Sequence, residues 1–425
     1  MSDLAVLGGS PVLPDPLPPY PSMGRAEEEA AAEAVRSGCL SGFYGSPGPE
    51  FLGGPRVRAF EQAWAVRYGT AYAVSVNSAT SGLIAAMGAI GLGPGDEVIV
   101  PPWTMSATVV APLFYGAIPV FADIEEDTFC IDVGSVEAAL SNKTRAILTV
   151  NLFGHPARLA ILRELADQKG IFLVEDNAQA PLAVENGQLA GTVGHIGIFS
   201  LNFHKHIHTG EGGVCVTDDE TLATSLQLIR NHGENMVEDW GIADITNMVG
   251  FNFRLTEIGA AVGLAQLADI DNHLARRRHI AEALTEGTCD LEGWTPPRVR
   301  EGCTHSYYEW VARLDATVLG ITRQTFSKAL AAEGFPHFTG YVEPLYRLPL
   351  FRQRKAIGRD GFPFTLTQRT YDSGMCPVVE RLHRDEALLF ECCAFDLDER
   401  TLERLVEAVR KIHAERDALR PLGEN

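Results

Sequence analysis

A chain of 425 residues can bury a large core and carry more than one domain. Its 46% hydrophobic and 21% charged residues are those of an ordinary globular protein, and a formal net charge of −20 argues against an extended nucleic-acid surface or an anionic-membrane anchor. Eight scattered cysteines without a Cys-x-x-Cys pair argue against zinc and against a disulfide scaffold.

The first nine residues lack the basic region and long apolar core of a signal peptide, and no apolar run reaches membrane-spanning length, so a reducing cytoplasm is expected. Residues 1–22, punctuated by Pro11, Pro14, Pro16, Pro18, Pro19 and Pro21, read as an extended arm. An Ala/Glu-rich helix is predicted over 25–36, stopped by Gly38. Residues 41–55 are rich in glycine and proline and form a long loop of the kind that borders a site. Val57, Phe60, Trp64 and Tyr68 recur at helical spacing as a core stripe. Apolar strand-like runs then appear at 71–76, 97–100, 118–122, 146–150, 171–174, 196–199 and 214–217, with helical segments such as 157–169 between most of them. That alternation predicts a mainly parallel seven-stranded sheet covered by helices on both faces, with ligands at the carboxyl ends of its strands. No helix separates the last two runs, so one of them is expected to run antiparallel. A single long helix is predicted from 256 to about 285, leading into a smaller α+β region with a strand over 307–314 and helices over 323–333 and 399–415. The chain divides on this reading into an arm (1–24), a large α/β domain (25–270) and a small carboxyl-terminal domain (271–425).

Five stations carry chemistry. The central one is Ser200-x4-Lys205-x4-Gly210-Glu211-Gly212-Gly213, between two strands. Lysine attacks a carbonyl only as the neutral amine, so its pKa must fall through desolvation or nearby cations. Ser78-Ala79-Thr80 follows a strand and opens a helix, whose free N–H groups suit a phosphate; alone, it is a routine helix cap. Trp103, just after the strand 97–100, is alone a core residue, although a flat ring there can stack on a ligand. Asp176 and Gln179 stand at the end of a buried strand in Glu175-Asp176-Asn177-Ala178-Gln179-Ala180. The fifth station is Gly250-Phe251-Asn252-Phe253-Arg254-Leu255-Thr256-Glu257.

The order and content of these stations resemble the DegT-type sugar and cyclitol aminotransferases, fold-type I enzymes that use pyridoxal 5′-phosphate, over roughly residues 4–415. The resemblance implies that Lys205 forms the cofactor's Schiff base, that Ser78, Ala79, Thr80 and Ser200 bind its phosphate, and that Trp103 stacks on its ring. It further implies that Asp176 holds the ring nitrogen protonated, that Gln179 lies near the ring oxygen, and that Asn252 reaches the phosphate of the neighbouring subunit in a homodimer with shared sites. Ala79 replaces a glycine, Asn177 a usual alanine, and Asn151 a common histidine. The activity implied is transfer of an amino group from glutamine or glutamate to a ketone in secondary-metabolite or polysaccharide biosynthesis, by a ping-pong cycle through pyridoxamine phosphate. Tyr307, Tyr308 and Tyr346 resemble substrate-side features of the branch acting on ketocyclitols such as scyllo-inosose, which makes a small polyhydroxy ketone the expected acceptor. Two neighbouring readings are an aminotransferase of a nucleotide-linked keto sugar and a pyridoxal-phosphate sugar dehydratase, whose branch has histidine where Lys205 stands. A third reading places a metal on His204, His206 and His208, at alternate positions of a strand.

Overall fold

The computed structural model describes residues 2–423. Seven strands form the central sheet: β1 (Tyr72–Val76), β2 (Glu97–Val100), β3 (Ile118–Phe121), β4 (Thr144–Val150), β5 (Phe172–Asp176), β6 (Ile196–Ser200) and β7 (Gly213–Thr217). Their order is β1-β7-β6-β5-β4-β2-β3. The strands from β2 to β6 run parallel, each joined to its neighbours with a crossover. β7 is antiparallel to both of its neighbours, because the chain returns from β6 through a turn and not through a helix. Almost every residue of these strands is buried, which is why they read as unbroken apolar runs.

The helices that cover the sheet include α1 (Arg25–Arg36), α2 (Pro55–Tyr68), α3 (Ala79–Ala89), α4 (Val133–Ala139), α5 (Leu159–Lys169) and α6 (Glu220–Arg230). In α2 the stripe Val57, Phe60, Trp64 and Tyr68 is buried, with the last two rings stacked and packed on Phe199 of β6. The helical pattern expected to run unbroken from 256 is two helices, α7 (Glu257–Ala268) and α8 (Ile270–Thr288). Asp269 leaves the helical region at φ −107° and ψ 8°, and its carboxylate accepts a hydrogen bond from Asn272 Nδ2 at 2.5 Å. A short polar side chain that competes for local hydrogen bonds is a helix breaker. Apolar spacing persists across the break, so periodicity alone does not register it. The amino-terminal end of α8, through Ile270 and Leu274, packs with Phe60; its far end, through Ile280 and Leu284, packs into a second core.

That second core lies on a four-stranded antiparallel sheet of β8 (Trp294–Thr295), β9 (Trp310–Leu314), β10 (Phe338–Thr339) and β11 (Ala387–Phe390), in the order β8-β9-β11-β10. The strand expected from 307 begins only at Trp310, because Tyr307 holds a left-handed φ of 51°. Helices α9 (Arg323–Ala332) and α10 (Glu399–Ala414) close this layer, α10 through Leu402, Leu405, Val409 and Ile412. The amino-terminal arm is extended apart from a turn at Ala5–Leu7, and it is anchored here. Leu4, Val12 and Leu13 are buried in the second core, while the fully buried Glu333 accepts from Ala5 N (2.9 Å) and Val12 N (3.0 Å) and pairs with Lys411 Nζ (2.9 Å). Among the described residues no helix is long and apolar enough to cross a membrane.

Candidate active site

The carboxyl ends of β4, β5 and β6 open into a cavity of about 230 Å³ whose wall is completed by the start of α3, the segment after β2 and the loop before β9. This is where a parallel sheet exposes free strand ends to a ligand. Ser78, Ala79, Thr80, Asp176, Gln179, Ser200, Lys205 and Tyr308 all line it.

Lys205 lies in the turn between β6 and β7, where its own N–H is tied to Asn202 O at 2.9 Å. Its Nζ stands 4.0 Å from the centre of the Tyr308 ring. Burial draws the ammonium down to about 8, against the opposing influence of Asp176, Cys393 and Glu309. A far larger fraction of neutral amine than an ordinary lysine offers is therefore present near neutrality, as nucleophilic chemistry requires.

Asp176 ends β5, almost fully buried. Its Oδ2 accepts from Thr108 Oγ1 at 2.7 Å and its Oδ1 from Ala178 N at 3.1 Å. Burial pushes its pKa up, and those two donors together with Lys205 oppose the shift. A protonated ring nitrogen placed against it would favour the carboxylate further.

Ser78 is the N-cap of α3; its Oγ accepts from Ser81 N at 3.1 Å. The first-turn N–H groups of Ala79 and Thr80 have no partner within the helix and stand at the cavity wall. The turn is shielded from behind by Gly213, where a Cβ would come within 2.7 Å of Ala79 N, so β7 can approach this closely only with glycine there. Ser200 Oγ accepts from Asn202 N at 3.3 Å. Gln179 is held from two sides, its Oε1 accepting from Phe153 N (2.8 Å) and its Nε2 donating to Tyr341 Oη (3.0 Å). The second Nε2 hydrogen remains for a ligand.

Three expectations need correcting. Trp103 does not reach the cavity: it is fully buried, its indole N–H donating to Val342 O at 2.8 Å, with Phe129, Phe153 and Tyr341 packed edge-on. Met105, two residues on and largely exposed, lines the cavity in its place. Tyr346 is also fully buried, packed on Phe121 and donating to Glu380 Oε1 at 2.5 Å, and so cannot touch a substrate. Tyr307 turns away into the second core and stacks on His305, ring centres 4.0 Å apart. The three histidines do not converge, because residues 201–209 are a turn and not a strand. His206 Nε2 bonds Ser306 O (2.9 Å), His208 Nε2 bonds Ser22 Oγ (2.8 Å), and only His204 lines the cavity. Among the described residues no three His, Cys, Asp or Glu side chains are grouped as metal ligands.

Asn252 is exposed and lies outside the lining of its own chain's cavity, on a segment whose Phe253 O accepts from Asn77 N at 2.8 Å. Thr108 and Tyr341 are site residues that sequence reasoning missed. Thr108 sits on a four-residue helix (Ala107–Val110) without a motif of its own, and Tyr341 is turned inward by a left-handed φ of 49°. A larger hollow of about 610 Å³ lies by β3, lined by Phe121, Asp123, Arg369 and Tyr371, and shares no lining residue with the first cavity.

A fold of this topology, with an amine of lowered pKa, a buried carboxylate and a helix start around one cavity, has the parts that a pyridoxal-phosphate-dependent aminotransferase needs, and its relatives place the chain in that class. Residues 46–387 match the model of the DegT/DnrJ/EryC1/StrS aminotransferase family, and the chain belongs to that family. It is 36% identical to an L-glutamine:2-deoxy-scyllo-inosose aminotransferase of Streptomyces kanamyceticus, over 98% of each chain. It is 33% identical to a putative L-glutamine:3-amino-2,3-dideoxy-scyllo-inosose aminotransferase of Streptoalloteichus tenebrarius, covering 99% of this chain and 100% of that one. Among solved structures, an aminotransferase from Psychrobacter cryohalolentis superposes with a TM-score of 0.82 at 27% identity, covering 94% of this chain and 99% of the other.

Proposed function

We propose that this enzyme transfers the amino group of glutamine to the ketone of a free cyclitol, as part of aminocyclitol biosynthesis. The observation that carries the reading is the near-full-length similarity to two relatives named for glutamine and scyllo-inosose-type ketones. The cavity agrees with it: among the described residues, Lys205 is the one Lys or Arg side chain that lines it, which suits a neutral polyol better than a diphosphate.

Bound in this cavity, pyridoxal phosphate supplies the electron sink that lets a C–H bond beside the transferred nitrogen be broken. Lys205 would carry the cofactor covalently, be displaced by the donor, and then use Nζ to take the donor's α-proton. In the second half of the cycle the same Nζ would deliver a proton to the former carbonyl carbon of the acceptor. Asp176 would keep the ring nitrogen protonated, with Thr108 and Ala178 N–H holding its carboxylate in place. Gln179 would meet the ring oxygen, and Ser78, Ala79, Thr80 and Ser200 the phosphate. Asn252 would complete the phosphate site of a second copy, making the enzyme a cytoplasmic homodimer with shared sites. We read the break at Asp269 as the divide between a large cofactor domain (25–270) and a small domain (271–425), with 1–24 as an arm; Met1, Glu424 and Asn425 lie outside the described residues.

The test has two parts. Borohydride reduction of the loaded enzyme and peptide mapping should place the pyridoxyl label on Lys205. The enzyme in its pyridoxamine form should regain the spectrum of the lysine-linked cofactor on mixing with 2-deoxy-scyllo-inosose. Recovery with a nucleotide-linked 4-keto sugar alone would replace this reading with the nucleotide-sugar one, and loss of water without net amino transfer would replace it with the dehydratase.

A further inference from the structure

Three polar side chains of the cavity wall, Asn202, His204 and Glu211, have no part in the cofactor assignments above. They are brought together by the turn between β6 and β7, which folds Thr209 N onto Leu201 O (3.0 Å) and Leu201 N onto Gly212 O (2.9 Å). Asn202 Nδ2 donates to Glu211 Oε1 at 2.8 Å. That contact fixes which way the amide faces, because the flipped amide would set its oxygen against the carboxylate. Asn202 Oδ1 is left buried without a hydrogen-bond partner among the described residues. An acceptor atom in that state is costly unless something donates to it.

His204 lines the cavity, and its ring feels the charges of Lys205, Glu211 and His208. Burial, reinforced by Lys205, lowers its pKa to about 4, so the imidazole is neutral at cellular pH. A neutral imidazole has one N–H donor and one nitrogen acceptor, so it can either donate to a hydroxyl group or accept from one. Phe203 packs edge-on against the imidazole at 4.9 Å between centres and restrains it. The Tyr308 ring lies 4.0 Å from Lys205 Nζ and 6.1 Å from the His204 ring. One aromatic surface therefore spans from the reacting amine to the imidazole, on the scale of one sugar-sized ring.

We propose that His204 is a specificity-determining residue that receives a ring hydroxyl of the acceptor ketone, within a polar wall braced by the Asn202–Glu211 pair. The proposal rests on the reading of the acceptor as a small polyhydroxy ketone and deepens it. An acceptor hydroxyl gives its hydrogen to one imidazole nitrogen and accepts from the other group within reach, while a neighbouring hydroxyl can donate to Asn202 Oδ1. The amino donor has no such hydroxyl, so its half of the cycle should not depend on His204.

The experiment compares wild-type, His204→Phe and His204→Gln holoenzymes. Calorimetry with myo-inositol, a polyol without a ketone, reads binding directly; single-turnover spectra read the glutamine half-reaction and the 2-deoxy-scyllo-inosose half-reaction separately. We expect His204→Phe to weaken myo-inositol binding and raise the apparent acceptor constant about tenfold, the effect of one lost hydrogen bond in a closed site. The glutamine half-reaction should stay within about twofold, which also shows that the variant is folded and loaded. His204→Gln, which keeps a donor and an acceptor, should recover most of the loss. Unchanged acceptor constants in His204→Phe, or equal losses in both half-reactions, would overturn the proposal while leaving the aminocyclitol reading intact. A wild-type enzyme that reacts with no cyclitol would instead overturn that reading, and this inference with it.

Discussion

Replacing Thr108 with valine tests the role given to Asp176 with little disturbance of packing. The two side chains have the same shape, Thr108 is fully buried, and its hydroxyl donates to Asp176 Oδ2 at 2.7 Å. Burial already raises the pKa of Asp176, and this bond is the largest influence opposing that rise. A hydrogen bond to a charged group contributes about 1.5–3 kcal/mol. Each 1.4 kcal/mol is a factor of ten in an equilibrium constant, so Thr108→Val should weaken pyridoxal phosphate binding by about 10- to 100-fold. The sign with pH follows from the same bond. Asp176 must be ionised to hold a protonated ring nitrogen, so affinity falls as pH drops through its pKa, and without Thr108 that limb moves to higher pH. Fluorescence titration of the cofactor-free enzyme across pH measures both effects, and Thr108→Ser should restore them. An unchanged dissociation constant and an unmoved acid limb in Thr108→Val would show that Asp176 does not act through its charge.

Asn177→Ala should destabilise the fold by about 1–3 kcal/mol by denaturant midpoint, since it removes donors to Ala180 O and Ala190 O and an acceptor for Asn151. Glu333→Ala leaves Ala5 N and Val12 N without their acceptor and Lys411 with only Ser10 O, and should free the arm at a cost of about 3–5 kcal/mol; limited proteolysis should then cut within residues 2–13. For Lys205 the folded pKa is lowered to about 8, so between there and the ordinary lysine value the unfolded chain binds more protons, and the cofactor-free protein gains stability as pH rises through that window. Lys205→Met should abolish this rise and exceed the wild type in stability below about pH 8. Tyr346→Phe should leave acceptor kinetics unchanged because the ring lies in the core, and a large change in the acceptor constant would return it to the site.

The parts of this molecule that could be read from its sequence are those set by local or repeating chemistry. Strands buried on both faces appear as apolar runs, and the missing helix between residues 199 and 214 correctly foretold the antiparallel β7. Ser78, Asp176, Ser200 and Lys205 come together because each sits at the carboxyl end of a strand or just after it, where the topology brings chain-distant residues to one edge. Side-chain direction in irregular segments was not legible. Trp103 and Met105 are both apolar and two residues apart, and only packing against Phe129, Phe153 and Tyr341 decides which one goes inside. Tyr307 and Tyr308 are adjacent and identical, yet a left-handed φ of 51° at the first sends one ring to the second core and leaves the other beside Lys205. The histidine triplet shows the same limit: alternate spacing has meaning only on a strand, and residues 201–209 are a turn.

Two of the three departures from the family pattern, Asn151 and Asn177, explain each other. Asn151 and Asn177 are 26 residues apart in sequence, but parallel pairing places the ends of β4 and β5 side by side. Asn151 Nδ2 donates to Asn177 Oδ1 at 2.8 Å and to Glu175 Oε2 at 3.0 Å, while its Oδ1 accepts from Ala157 N at 2.9 Å. Glu175, fully buried, also accepts from Gly191 N (2.6 Å), Val193 N (2.9 Å) and Gly194 N (2.6 Å), so the pair helps to satisfy a carboxylate that burial would otherwise drive to its neutral form. A histidine at 151 with an alanine at 177 would be a different solution to the same requirement: something must donate to Glu175 behind the strand that carries Asp176. The consequence is a coupling. Asn151→His alone leaves Asn177 Oδ1 without its donor, Asn177→Ala alone leaves Asn151 short of an acceptor, and the double change removes both mismatches. The two single losses should therefore not add.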